Sequence, residues 1–206
     1  MKQLLVFIPF LFLSLLSEAQ QFNAGAHLAL NGAQLDGDGL SGYNKLGVYT
    51  GLWVSREFSE KWSWQFEISY SMKGSRRIVD SATFDAGPWL RLTMHYIDIP
   101  LLLRYQYTDK IGFEAGLSGN YLLSFRYQDP RNNVLNTNFT RVELSMLGGA
   151  TYQLNANWMV LARANYSVFS VDPLGSRVPF FALLQQGSFN NWLTLGMRYT
   201  FNRESL

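Results

Sequence analysis

From Phe22 onward apolar residues recur at every second position, which is the period of a β-strand. In Trp62–Lys73, one parity carries Trp62, Trp64, Phe66, Ile68, Tyr70 and Met72, and the other carries Ser63, Gln65, Glu67, Ser69, Ser71 and Lys73. Ile111–Phe125 sets Ile111, Phe113, Leu117, Tyr121, Leu123 and Phe125 against Gly112, Glu114, Gly116, Ser118 and Asn120. Such runs predict eight strands: Phe22–Asn31, Leu46–Phe58, Trp62–Lys73, Leu92–Tyr107, Ile111–Arg126, Thr140–Leu154, Trp158–Phe169 and Asn190–Phe201. Three connections are tight and polar: Ser59-Glu60-Lys61, Thr108-Asp109-Lys110 and Asn155-Ala156-Asn157. The other four are long and rich in Gly, Pro, Asp and Asn. Long and short alternate, so the tight turns and both chain ends fall at one end of an antiparallel, up-and-down sheet. That is the layout of outer-membrane barrels.

Alternation also suits a soluble barrel, whose apolar face points inward. The two parities decide between them. A water-facing parity should be dense in Lys, Glu and Thr, whereas here it is crowded with Gly, Ser and Asn and a few charges of both signs. That set suits the confined interior of an eight-stranded barrel. The apolar parity holds one charge, Arg56, two residues from a tight turn, where a cation on a lipid face costs little and its side chain can snorkel. Its aromatics collect beside the tight turns: Phe58 and Trp62, Tyr105 and Tyr107, Tyr152 and Trp158, Tyr199 and Phe201. They predict a girdle at one membrane interface. The expected fold is therefore an all-β, eight-stranded antiparallel transmembrane β-barrel of outer-membrane type.

Composition agrees. Of the 206 residues 48% are hydrophobic and only 16% charged, against about 25% charged in soluble domains. The chain has no Cys, which excludes disulfides and thiolate metal sites. Its net charge of +2 is no nucleic-acid signature. The segment 1–19 reads as a cleaved signal peptide: Lys2, an apolar run Leu4–Leu16 broken by Ser14, then Ser17-Glu18-Ala19 with small residues at the cleavage positions. An uncleaved helical anchor is the alternative. Residues 20–206 form one barrel domain in this reading, located in the cell outer membrane.

The lumen parity contains Glu67, Asp98, Arg104, Glu114, Arg163 and Arg198, expected to form a polar network because buried charges must be paired. A three-residue loop at Thr108–Lys110 puts Arg104 opposite Glu114. Pro100 lies within a strand and removes a ladder hydrogen bond, which predicts a bulge near Asp98–Pro100.

Tyr96-Ile97-Asp98-Ile99-Pro100-Leu101-Leu102-Leu103-Arg104-Tyr105 resembles the aromatic–acid–apolar–proline–leucine strand of the Bacteroidetes outer-membrane β-barrel family, the PorT-like group. Tyr70-Ser71-Met72-Lys73-Gly74, Gly25 and Asn31, Glu114-Ala115-Gly116, and Gly148-Gly149 fit the same pattern. The resemblance implies an outer-membrane barrel of a Gram-negative bacterium and little about activity, although PorT itself is associated with protein secretion. Phe201 matches the terminal aromatic assembly signal, from which Asn202–Leu206 depart by extending beyond it.

Chemistry is sparse. His27 falls on the lumen parity with no serine near it in sequence; His95 falls on the outward parity toward the long loops, without a His-x-Ser spacing. Asp36-Gly37-Asp38-Gly39 starts like a calcium loop, but no bidentate acid follows, and an ordinary turn explains it better. No catalytic, cofactor or metal site is assigned. The fourth long loop is unusually apolar at Phe180, Phe181, Leu183 and Leu184, and either docks a partner or a hydrophobic ligand, or folds as a lid. The expected role is structural or interaction-based, with recognition by extracellular loops, outer-membrane lipid as surroundings, a monomeric state and no open pore. The alternatives are solute or lipid transport or a secretion-associated role, and a lipid hydrolase using His95.

Overall fold

A computed structural model describes residues 22–37, 42–76, 91–128, 139–171 and 187–201. Eight antiparallel strands are present: β1 (Phe22–Asp36), β2 (Lys45–Ser59), β3 (Trp62–Arg76), β4 (Arg91–Gln106), β5 (Ile111–Gln128), β6 (Val142–Gln153), β7 (Trp158–Ser167) and β8 (Phe189–Thr200). Each pairs with its neighbour in sequence, and β1 pairs with β8, from Gly25 opposite Thr200 to Asp36 opposite Phe189, closing the barrel. Closure leaves no strand edge, which a sheet in hydrocarbon requires.

Side chains take the expected sides. Phe66, Ile68, Leu101 and Leu117 are exposed, whereas Gln65, Glu67, Ser69 and Ser71 are buried. An apolar outside around a polar inside is the inverse of a soluble barrel. The turn-end aromatics form contacts around the rim: Trp62 with Tyr105 at 4.8 Å between centroids, Trp158 with Tyr199 at 4.9 Å and Tyr199 with Phe201 at 5.9 Å. The Thr108–Lys110 and Asn155–Asn157 turns close as anticipated, with the Tyr107 amide donating to the Ile111 carbonyl and the Leu154 amide to the Trp158 carbonyl, each at 2.9 Å. At the first tight turn Ser59 pairs with Trp62 and the register shifts at Phe58.

Three features differ from the sequence reading. β1 continues five residues past Asn31, because Gly32–Asp36 pair with Leu193–Phe189 of β8, although here the apolar residues Ala33 and Leu35 are the buried ones. The bulge expected at Asp98–Pro100 is absent. The β3–β4 ladder omits Glu67 and Ile68 opposite Pro100 and Ile99, yet its register is the same on either side, so the proline costs a local gap and no slip. The bulge lies instead between β4 and β5, where His95 faces Ser124 but Tyr96 faces Leu122. The extra residue, Leu123, reverses the parity of β5 above it. Phe125, assigned by parity to the outer face, is thus set opposite inward Met94 at the rim, where it stays exposed while its ring meets buried Phe139 edge-on at 5.0 Å.

One interior glycine shows how the strands coil so tightly. A Cβ on Gly51 would lie 2.2 Å from the Ile68 carbonyl oxygen and 2.7 Å from Ser69 Oγ. The close approach of β2 and β3 at this point therefore excludes any side chain.

Candidate functional site

The strand period brings inward side chains of distant strands to one axis, and the resulting lumen is filled. Arg163 of β7 is bidentate to Glu67 of β3, with Nη2–Oε1 at 2.5 Å and Nη1–Oε2 at 2.9 Å, and its Nε donates to Glu114 of β5 at 2.5 Å. Arg198 of β8 reaches the same two acids, at 3.1 Å from Glu67 Oε1 and 3.3 Å from Glu114 Oε2. Arg104 sits opposite Glu114 as the turn length required, but its Nε lies 3.7 Å from Oε2, the loosest pair of the cluster. The Tyr49 hydroxyl donates to Glu67 Oε2 at 2.9 Å, and Gln65 Nε2 to Oε1 at 2.5 Å. His27 lies against this layer, stacked on Tyr49 at 4.7 Å, with Nε2 3.1 Å from Ser69 Oγ. Bidentate guanidinium–carboxylate pairing fixes orientation as well as charge, so the cluster specifies register across β3, β5, β7 and β8.

Asp98 does not join those residues. It belongs to a second cluster nearer the long loops, where Lys73 Nζ lies 3.2 Å from Asp98 Oδ1 and 3.4 Å from Glu143 Oε1. Asn120 donates to Glu143 Oε1 at 3.0 Å, Asn190 to Oε2 at 2.6 Å, and Lys73 sits 3.7 Å from the Trp192 ring centroid. Sequence reasoning did not single out Lys73 and Glu143. Their signal was available, since both lie on the lumen parity of their strands. It also missed the large inward aromatics Tyr49, Trp53, Tyr96 and Trp192, which share the lumen parity with the charged and small residues.

The two clusters together pair Arg104, Arg163, Arg198 and Lys73 with Glu67, Glu114, Asp98 and Glu143, so their formal charges cancel. Above them Leu35, Leu92, Met94, Tyr96, Leu122, Phe139 and Val171 pack as an apolar cap. Ion pairs with matched charge and a greasy cap make a plug.

The remaining candidates are dispersed. His95 faces outward, its Nδ1 2.6 Å from the Tyr70 hydroxyl. Ser124 stands opposite it across the sheet, which no spacing in the sequence could reveal, yet among the described residues no hydrogen bond joins the two. Asp36 accepts from Gln34 and, at 3.5 Å, from Asn191. Phe180, Phe181, Leu183 and Leu184, and the segment 1–19, lie outside the described residues.

A closed eight-stranded barrel with an apolar outer wall, an aromatic girdle at its short-turn end and a polar lumen is an outer-membrane barrel. The chain belongs to the outer membrane protein beta-barrel domain family, whose model matches residues 18–172. No curated protein matches it. Among solved structures, Neisserial surface protein A (NspA) is similar with a TM-score of 0.52 at 13% identity, covering 87% of this chain and 97% of its own. Ail, the attachment invasion locus protein of Yersinia pestis, gives 0.48 at 12% identity and covers 88% and 99%. OprG of Pseudomonas aeruginosa gives 0.43 at 16% identity and covers 90% and 97%. The likeness is one of fold, and the chain is an outer-membrane protein.

Proposed function

We propose that this barrel acts by recognition at its extracellular loops, as a monomer of the PorT-like Bacteroidetes group, and neither conducts solute nor catalyses a reaction. The observation that carries this reading is the plug. Arg163 and Arg198 each bridge Glu67 and Glu114 across the lumen, and the Lys73 cluster and the apolar cap lie in series above them. A wall buried in lipid and an interior bonded to itself leave the loops as the surface for specific binding. The His95 surroundings favour no hydrolase, because Tyr70 rather than a carboxylate meets Nδ1.

The test has two arms. In planar bilayers the refolded wild-type barrel gives no stepwise current under applied voltage; steady ohmic steps would overturn the sealed lumen. In intact outer membranes, photo-crosslinkers in the four long loops capture a protein or glycan partner, and the yield drops when Phe180–Leu184 is deleted. Crosslinks confined to lipid and the barrel wall would refute recognition by the loops.

A further inference from the structure

Basic residues cluster on the outer wall of the loop-end rim. Arg76, the last residue of β3, lies directly opposite Arg91, the first of β4, and both are exposed. Like charges in a facing pair repel and destabilise a sheet. Arg126 of β5, also exposed, stands opposite Thr93 one outward row below. Lys45 is tucked behind this face, its Nζ 2.9 Å from the Leu46 carbonyl and 3.6 Å from Met72 Sδ, and the charges of Arg76 and Arg91 act on it. Lys45 and Arg126 in turn act on His95, which lies in the next outward row. None of these cations is within 4 Å of a carboxylate among the described residues, whereas seven such pairs fill the lumen.

The position of the group along the barrel completes the picture. Trp62, in the girdle, and Met72 are ten residues apart on β3, which at about 3.3 Å per residue and a tilt of about 40° spans about 25 Å, the height of an outer-membrane apolar band. Arg126 and the Arg76–Arg91 pair then stand about 5 and 10 Å above the band. That is headgroup depth, and all three side chains face the lipid rather than the lumen.

We infer that Arg76, Arg91 and Arg126 form a site for the phosphate of a phosphorylated glycolipid headgroup in the outer leaflet. Arginines at facing positions of neighbouring strands can direct their donors to one dianionic group, and the acyl chains would lie against Tyr70, Ile97 and Ile99 directly below. An anion between Arg76 and Arg91 turns their repulsion into a clamp across β3 and β4, at the mouth of the long connection that joins them.

The probe is lipid A, phosphorylated or enzymatically dephosphorylated, added to the folded barrel in neutral detergent and read by native mass spectrometry. Wild-type protein should retain the phosphorylated form at least about tenfold better, since each basic residue at an anionic surface contributes about fivefold. The Arg76→Gln/Arg91→Gln/Arg126→Gln variant should lose that preference while keeping its heat-modifiable gel mobility. If the triple variant does not fold, Arg91→Gln alone should lower retention about fivefold. Equal retention of the two lipids, or a variant indistinguishable from wild type, would overturn the site. Displacement of the lipid by an equimolar amount of inorganic phosphate would overturn the lipid headgroup as its ligand.

Discussion

Replacing Glu67 by Gln tests the plug at its most connected residue. The carboxylate accepts from Arg163 twice, from Arg198, from Tyr49 and from Gln65, and is fully buried. The amide is the same size, so no cavity opens and the change is one of charge and donor pattern. Three arginines then face Glu114 alone, and an amide NH₂ is directed at guanidinium donors. Breaking one side of a buried pair costs about 3–5 kcal/mol, most of it the penalty of the charge left behind. Arg163→Met removes the bidentate partner but leaves Arg104 and Arg198 to neutralise the two acids, so its cost should fall at the lower end, about 3 kcal/mol. In the double variant Arg104 and Arg198 face Glu114 and less charge is stranded than in Glu67→Gln alone. The double loss should therefore be smaller than the sum of the singles by about 1–3 kcal/mol. Urea unfolding in lipid vesicles, followed by tryptophan fluorescence and by heat-modifiable gel mobility, measures all three. A Glu67→Gln barrel as stable as wild type, or strictly additive losses, would refute a stabilising role for the network.

Two further outcomes probe the wall and the coil of the sheet. Leu117 faces hydrocarbon beside Leu101, so Leu117→Arg should lose about 2–4 kcal/mol, whereas Phe58→Arg, beside a tight turn, should lose no more than about 1 kcal/mol; equal costs in the same unfolding assay would place the membrane band elsewhere. Gly51→Val puts side-chain atoms where a Cβ already lies 2.2 Å from the Ile68 carbonyl, and should block assembly of the heat-modifiable folded form, while Gly119→Val, with no atom within 4 Å of its Cβ position, should assemble normally.

Much of this barrel is legible in one dimension because lipid and lumen make opposite demands on alternate residues. Phe66 must suit hydrocarbon and Glu67 a crowded polar interior, so the period of two states both the strand and its sides. Loop lengths add the order and direction of the strands, and the turn at Thr108–Lys110 even gives the pairing of Arg104 with Glu114. The period breaks down where register slips. Leu123 is an ordinary apolar residue in sequence, and only its lack of a partner on β4 reveals the bulge that sets Phe125 opposite the inward Met94. Pro100 calls for such a defect by its missing amide, but a local gap in the ladder with β3 absorbs it without a shift.

The sequence by itself determined the architecture, the outer-membrane setting and the set of inward charges, since these follow from periodicity and from the cost of placing each residue type in hydrocarbon. Only the tertiary structure decided which charges meet: Arg163 with Glu67, 96 residues apart, Lys73 with Glu143, 70 apart, and Arg76 facing Arg91 on the outer rim. Parity gives a side chain one bit of information, inside or outside. Its partner depends on barrel closure and on the stagger between strands, and those emerge when all eight strands settle on a common register.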